Sequence, residues 1–255
     1  MMTIKSALEI ERMKDAGKIL GSLLNEIESK IFPGISTKML DKFAEEYIIE
    51  NRALPSFKGV PGIYGAKPFP ASICTSVNDE IIHGIPSGRI LEEGDIVSID
   101  AGVSFRGYQA DACRTFTVGK CSEEALRLIA VTKQSFFEGV KKAVPDNRII
   151  DVSGAIQDYV EGNGYSLVKE YTGHGIGREL HEDPEVPNYR GRIRGPRLQP
   201  GVAIAIEPMV CAGSDKIVVD SRNKWTVSTA DGKLSAHYEN TVIVTDGEAF
   251  ITTLL

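Results

Sequence analysis

Two aspartates, Asp100 and Asp111, sit in a stretch that reads as a β-hairpin, because residues 96–99 form an apolar strand and Arg106-Gly107 has turn character. Folded about Phe105-Arg106, the hairpin sets the two carboxylates directly opposite each other with Cβ atoms roughly 5 Å apart, where like charges repel. Among Ile and Val side chains such a pair either shares a proton or clamps a cation. A bulge would shift the register and leave two solvated turn aspartates instead.

The remainder of the chain favours the cation. Residues 33–48 align without a gap on 145–160, matching Leu40 with Val152, Ala44 with Ile156 and Tyr47 with Tyr159. Residues 91–100 align on 198–207, matching Asp100 with Glu207. Each half then carries a later carboxylate on a returning strand, Asp111 in the first and Glu239 in the second. A duplicated unit with pseudo-twofold symmetry brings all four to one centre, where neutrality requires at least two divalent cations. His174, in Tyr171-Thr172-Gly173-His174-Gly175-Ile176-Gly177, offers one further ligand. A histidine between glycines has little packing to do, and the missing side chains leave room for a metal. His83 and His181 also lie in Gly/Pro-flanked segments, and His237, two residues from Glu239, reads as a support beside the ligands. Oxygen donors with one imidazole suit Co, Mn, Fe or Zn. Paired metals generate a bridging hydroxide at neutral pH, which is machinery for hydrolysis.

The elements that must position these groups can be read from periodicity. Ser6-Ala7-Leu8-Glu9 has capping-box form, and Met13, Ala16, Leu20, Leu23, Leu24 and Ile27 come next at helical spacing until Pro33-Gly34 stops the helix. Ser36 or Thr37 caps a second helix with Leu40, Phe43, Ala44, Tyr47 and Ile48 on one face. Ser122 starts a third, and a fourth runs over about 151–162. The Gly/Pro-rich connection 54–70 reads as a long surface loop of the kind that lines a site. Strands are expected at 71–77, in the hairpin, and near 166–171, 203–206, 224–228 and 234–245. The expected fold class is α+β, with pseudo-twofold duplicated helix-helix-strand units around a central antiparallel sheet. The expected organisation is one domain over 1–255, with halves of about 6–118 and 122–250.

Composition sets outer bounds. The chain has 255 residues and a net charge of −6 without a basic run, so nucleic acid is not an expected partner. Cys74, Cys113, Cys121 and Cys211 form no CxxC pair, which argues against a disulfide framework or a thiolate zinc site and fits reduced cytosolic thiols. Glu9, Glu11 and Asp15 stand where a signal peptide would be basic and then apolar, and no apolar run approaches the roughly 18 residues of a membrane span. A cytoplasmic protein without a membrane partner is expected.

The order His83, Asp100, Asp111, His174, His181, Glu207, Glu239 resembles the type I methionine aminopeptidases over about residues 9–253. The motifs that carry the resemblance are His83-Gly84-Ile85-Pro86, Gly94-Asp95-Ile96-Val97 with Ile99-Asp100, Gly173-His174-Gly175-Ile176-Gly177-Arg178, His181-Glu182-Asp183-Pro184, Ile206-Glu207-Pro208-Met209 and Tyr238-Glu239-Asn240-Thr241. The resemblance implies the pita-bread fold in its short bacterial form. It implies a cytosolic monomer that removes the initiator methionine from nascent chains at the ribosome, with a preference for a small second residue. It implies a dinuclear metal centre on Asp100, Asp111, His174, Glu207 and Glu239. Glu207 then shuttles a proton from water to the leaving amine, His181 hydrogen-bonds the scissile carbonyl oxygen, and His83 contacts the same region or the leaving nitrogen. The implied methionine pocket is Phe57, Phe69, Leu180 and Trp225, with Tyr64 a further candidate, and Val60 stands where the family has a tyrosine. Asn78 and Ser235 match positions that in relatives help hold a monovalent cation.

Two rival readings remain. One is a proline-specific aminopeptidase or prolidase of the same fold; those carry an additional N-terminal domain, whereas the first helix here starts within ten residues of Met1. The other is a non-catalytic pita-bread binding protein, against which the intact ligand positions argue.

Overall fold

Local hydrogen bonding starts the helices where the capping residues predict. The Ser6 hydroxyl accepts the Glu9 N–H while the Glu9 carboxylate accepts the Ser6 N–H at 2.9 Å, and α1 runs Ala7–Glu28. Ser36 caps α2 (Thr37–Glu50) and Ser122 caps α3 (Glu123–Val140). Helix α4 spans Ile149–Gly162, starting ahead of the expected 151, because the Asp151 carboxylate accepts the Arg148 N–H at 2.7 Å and closes the first turn from inside. The structure is a computed structural model describing residues 2–62 and 65–255, and among them no helix is long and apolar enough to cross a membrane.

In chain order the strands are β1 (Leu54–Pro55), β2 (Ile73–Val77), β3 (Glu80–Ile82), β4 (Ile96–Phe105), β5 (Tyr108–Thr117), β6 (Ser166–Leu167), β7 (Gly173–Gly175) and β8 (Glu182–Val186). They continue with β9 (Ala203–Ile206), β10 (Met209–Cys211), β11 (Ile217–Val219), β12 (Val227–Thr229), β13 (Ser235–His237), β14 (Glu239–Ile243) and β15 (Phe250–Ile251). The main antiparallel sheet has the order β1-β4-β5-β14-β9-β7-β8, with β2 also on β4 and β15 also on β14. Two small sheets, β13-β10-β6 and β11-β12-β3, lie beside it.

Four expected strands are cut short, the one at 71–77 beginning only at Ile73. The run 234–245 is two strands in different sheets, because the Tyr238 N–H turns to the Pro208 carbonyl at 3.3 Å between them. The strand near 224–228 begins only at Val227, because Lys224 adopts φ 59° and the Asn223 side chain accepts the N–H groups of Trp225 and Thr226. Near 166–171 only Ser166–Leu167 pair.

The repeat seen in the sequence has a structural counterpart. Helices α2 and α4 are each 14 residues long and begin at aligned positions, Thr37 and Ile149. Strands β4 and β9 begin at aligned positions, Ile96 and Ala203. Isolated bridges Ser36–Ile90 and Arg148–Arg197 join corresponding residues of the two units. Each helix pair covers its own part of the sheet. Leu20, Leu24, Leu40 and Ile48 pack on Ile99, Ala101, Val103 and Ala112, while Leu128, Phe136, Val152 and Ile156 pack on Ile204, Ile206 and Val242.

The hairpin register corrects one expectation. The turn is Arg106-Gly107, with φ 51° and 78°, so Phe105 pairs with Tyr108 and Asp100 lies opposite Cys113, not Asp111. Both turn residues need φ above zero, which glycine meets without strain; folding about Phe105-Arg106 would force that conformation on a bulky Phe. Asp111 instead faces Gly102 and is a diagonal neighbour of Asp100 on the same face.

Candidate active site

Strand register assembles the acidic floor of the site. Cys113 in β5 lies opposite both Asp100 of β4 and Glu239 of β14, so these three share a face, with Asp111 two residues along β5 on that face. Glu207 comes directly after β9, whose Ile206 pairs with Asn240 next to Glu239. On the far side β7 pairs with β9 and supplies His174. The backbones beneath these side chains are pinned individually. The Thr241 hydroxyl accepts the Asp111 N–H at 2.8 Å and donates to its carbonyl at 3.0 Å. Arg114 donates to the Glu239 carbonyl at 2.6 Å, and the Asn188 amide donates to the Glu207 carbonyl at 3.0 Å.

The glycines beside His174 serve a different purpose from the one expected of them. A Cβ on Gly173 would lie 2.4 Å from the Ala205 carbonyl oxygen, and one on Gly175 would lie 2.1 Å from that of Asp183. They permit close approach of the neighbouring strands rather than making space for a metal.

His174 Nδ1 lies 2.8 Å from the Gly175 carbonyl, which can only accept, so Nδ1 carries the proton and the Nε2 lone pair is left free. That Nε2 stands 3.7 Å from Glu207 Oε1 and 3.8 Å from Asp111 Oδ2. Burial, with the neighbouring His181, holds the His174 pKa down to about 4. Burial pushes Asp100 up to about 7, and burial plus their mutual charges push Asp111, Glu207 and Glu239 well above the carboxylate range. A neutral lone pair facing crowded carboxylates is an arrangement that wants positive charge at its centre.

The residues fit a divalent metal. Asp100 Oδ1, Asp111 Oδ1 and Glu239 Oε1 are buried with no hydrogen-bond partner, a costly state unless a cation takes them. One donor atom from each of Asp111, His174 and Glu239 lies within 4.8 Å of the other two. Four carboxylates and one imidazole form a hard, mostly oxygen donor set.

Above the floor the pocket, about 100 Å³, is also lined by His83, His181, Phe57, Val60, Phe69, Cys74, Leu180 and Trp225. The described residues expected as metal ligands, catalytic histidines and methionine-pocket wall thus line one cavity. Tyr64 lies outside the described residues. His83 takes a left-handed φ of 57°, and its ring meets Tyr171 at 5.7 Å and Trp225 at 6.0 Å. Gly84 makes this loop possible, since a Cβ there would lie 2.2 Å from the Thr75 carbonyl oxygen. Burial, with His181 second, lowers the His83 pKa to about 4. His181 stacks edge-on against His174 with ring centres 4.5 Å apart, and burial lowers its pKa as well. Trp225 donates its indole N–H to the Lys67 carbonyl at 2.8 Å and packs edge-on to Phe69 at 5.2 Å, a buttressed wall and not an exposed loop residue.

The described residues of the 54–70 connection, 54–62 and 65–70, are more ordered than a free surface loop. Leu54 and Pro55 pair with Ser104 and Val103, and the N–H groups of Gly59 and Phe69 donate to the Phe69 and Val60 carbonyls at 2.9 Å. His237 is buried, its Nε2 3.9 Å from Glu207 and 4.0 Å from Glu239, beside the donor set. Asn78 and Ser235 are neighbours, joined by the Ser235 N–H donating to the Asn78 carbonyl at 2.9 Å. Sequence reasoning did not pick out Cys74 as pocket lining, nor Thr241, Arg114 and Asn188 as supports. For Thr241 alone a signal existed, its place in the Tyr238-Glu239-Asn240-Thr241 motif.

Comparisons with known proteins place the chain among relatives by sequence and by fold. The model of metallopeptidase family M24 matches residues 11–246. A methionine aminopeptidase from Clostridium acetobutylicum is 55% identical over 255 residues, covering 100% of this chain and 99% of that protein. The crystal structure of methionine aminopeptidase from Rickettsia prowazekii superposes with a TM-score of 0.95 at 36% identity, covering 100% of both chains. An Xaa-Pro dipeptidase from Bacillus anthracis reaches a TM-score of 0.78 at 25% identity, with 98% of this chain covering only 61% of that one. The shared architecture is the pita-bread fold. On its sequence and its fold, the chain belongs to metallopeptidase family M24.

Proposed function

We propose that this enzyme is a metal-dependent aminopeptidase that removes the initiator methionine from nascent proteins and peptides, preferring a small second residue. The observation that carries the reading is the junction of two surfaces in one cavity: a floor of Asp100, Asp111, His174, Glu207 and Glu239 and a wall of Phe57, Phe69, Leu180 and Trp225. The naming of relatives alike over the full length supports the choice of methionine over proline-type substrates.

Asp100, Asp111, His174, Glu207 and Glu239 would hold two divalent ions, which would supply Lewis-acid activation of water and of the scissile carbonyl. Glu207, at the edge of the floor, takes a proton from the attacking water and hands it to the leaving amine. The His181 imidazole donates to the carbonyl oxygen as its charge develops, and His83 holds the same region or the leaving nitrogen. Phe57, Phe69, Leu180 and Trp225 enclose an unbranched apolar side chain and exclude water from it. Asn78 and Ser235 border a monovalent-cation site. The chain works as a single catalytic domain, with halves of about 6–118 and 122–250, as a cytoplasmic monomer that meets its substrates at the ribosome.

Release of methionine from Met-Ala-Ser, compared with hydrolysis of an X-Pro dipeptide and with Met-Lys-Ser, tests the reading. Fast Met-Ala-Ser cleavage that a chelator abolishes, and slow cleavage of the other two, is expected. Activity retained in excess chelator with no metal in the sample would overturn it, and preferential X-Pro hydrolysis would move the enzyme to the proline-specific group.

A further inference from the structure

The loop between β7 and β8 carries both Leu180 and His181 into the pocket. Among the described residues the His181 ring makes no hydrogen bond, only its edge-on contact with His174, so the backbone of the loop must place it. One carboxylate organises that backbone. Glu182 Oε1 accepts the N–H groups of Arg178 at 2.8 Å and Glu179 at 3.3 Å. Its other oxygen, Oε2, is taken up by the segment ahead of α1. It accepts the Lys5 ammonium at 2.7 Å and the Thr3 hydroxyl at 2.7 Å, and Lys5 also donates to Thr3. The side chains of this ion pair are only 5% and 13% exposed, so the pair is little screened by solvent.

The ammonium is itself fixed. The Lys5 N–H donates to the Gly201 carbonyl at 2.8 Å, and Ile4 bridges Val202, which ties the segment to the start of β9. Gly177 lets the lysine pass, since a Cβ there would lie 2.5 Å from Lys5 Cε and 2.6 Å from Glu182 Oε1. The Gly177 carbonyl in turn accepts the Gln109 N–H at 2.8 Å, two residues from Asp111.

We propose that Lys5 is a positioning residue for His181: from the segment ahead of α1 it grips Glu182, and Glu182 sets the loop that aims the imidazole over the acidic floor. The inference rests on the catalytic reading of His181. A displacement of about 1 Å in a group that acts on the transition state can cost up to ~10²-fold in rate, whereas substrate affinity, set mainly by Phe57, Phe69 and Trp225 outside this loop, is less sensitive.

The test uses the zinc-loaded full chain and Met-Ala-Ser, well below the melting temperature, with kcat and KM measured separately. The ring-proton NMR signals of the four histidines are recorded, with His181→Ala assigning its own signal. Lys5→Met should lower kcat by ~10-fold or more with little change in KM, and shift the His181 signal while leaving that of His83 in place. Lys5→Arg, which keeps the charge, should recover most of the rate. If Lys5→Met does not fold, Thr3→Val decides: a lowered kcat with a moved His181 signal supports the clamp, and wild-type values of both overturn it. A Lys5→Met enzyme that loses only melting temperature, with kcat and the His181 signal unchanged, also overturns it. Wild-type kcat in His181→Ala overturns the catalytic reading instead; a slow His181→Ala beside a fully active Lys5→Met refutes the clamp alone.

Discussion

The floor and the wall of the pocket are built by different means. Asp100, Asp111 and Glu239 stand on three adjacent strands, and ladder hydrogen bonds allow their relative positions to change only in whole-residue steps. Phe57, Val60, Phe69, Leu180 and Trp225 come from connections held by a few contacts, such as the indole N–H on the Lys67 carbonyl. Groups that must stay within a fraction of an ångström are thus anchored in the sheet. Groups proposed to select a side chain ride on segments that can vary without disturbing the sheet. If the contrast is correct, changes in the floor should strike turnover and metal binding, and changes in the wall should strike substrate choice.

The largest effect is expected from Glu207→Gln, which would remove the proposed donor charge and the proposed proton carrier together. Turnover should drop by at least ~10²-fold, the size of an acid–base contribution. A methionine-like inhibitor that occupies only the wall should lose far less affinity, and equal losses in both would break the contrast. Trp225→Ala is the complementary change. It should cost ~1–3 kcal/mol in kcat/KM for methionine substrates, part of it the sulfur–aromatic contact, with metal stoichiometry unchanged. As the only tryptophan, Trp225 should also report the inhibitor by a saturable fluorescence change.

Gly102 lies at the seam. It faces Asp111 in the ladder, and a Cβ there would sit 2.8 Å from the Phe57 ring and 2.8 Å from Ser56 Cβ. Gly102→Ala should push the ring outward at a cost of ~1–3 kcal/mol, typical of overpacking, seen as a raised KM with unaltered metal content. Loss of metal with normal KM would mean that the strand moved and not the wall.

The smallest effect concerns the stability of the metal-free protein against pH. Asp100, Asp111, Glu207 and Glu239 have raised pKa values, so their contribution is present at low pH and lost as pH rises through the folded values, about 7 for Asp100. His83, His174 and His237 are lowered to about 4, 4 and 3, so their contribution is complete above 6.5 and lost as pH falls. Below about pH 6.5 the two sets oppose each other. Above it only the carboxylates act, and each proton's difference is worth about 1.4 kcal/mol per pH unit, or roughly 2–4 °C in Tm. The metal-free Tm should therefore fall as pH rises through about 7, where Asp100 titrates, while the metal-loaded Tm stays flatter. Parallel curves in calorimetry would show that metal does not relieve the carboxylate crowding.

Local chemistry was legible in the sequence because its causes lie within a few residues. Ser6 with Glu9, Ser36 and Ser122 mark helix starts through bonds spanning three positions, and the apolar spacing of 13–27 marks the buried face of α1. The repeat was legible for the same reason, since residue types recur in order, and with it the set of carboxylates and histidines that line the cavity. Register was not. One residue's choice of turn, Arg106-Gly107 over Phe105-Arg106, moved Asp100 from Asp111 to Cys113, and only the sign of φ decides between them. Nor were the supports legible. Thr241 under Asp111, Arg114 under Glu239, Asn188 under Glu207 and Lys5 behind the His181 loop act between positions 19 to 177 residues apart. Nothing in composition or periodicity links such positions; only when the sheet closes do their donors and acceptors come within 3 Å. The sequence by itself determined which side chains are available for chemistry, because that is a matter of residue type. The tertiary structure decided which of them face one another and what holds them there, because hydrogen bonds and burial depend on distance in space and not along the chain.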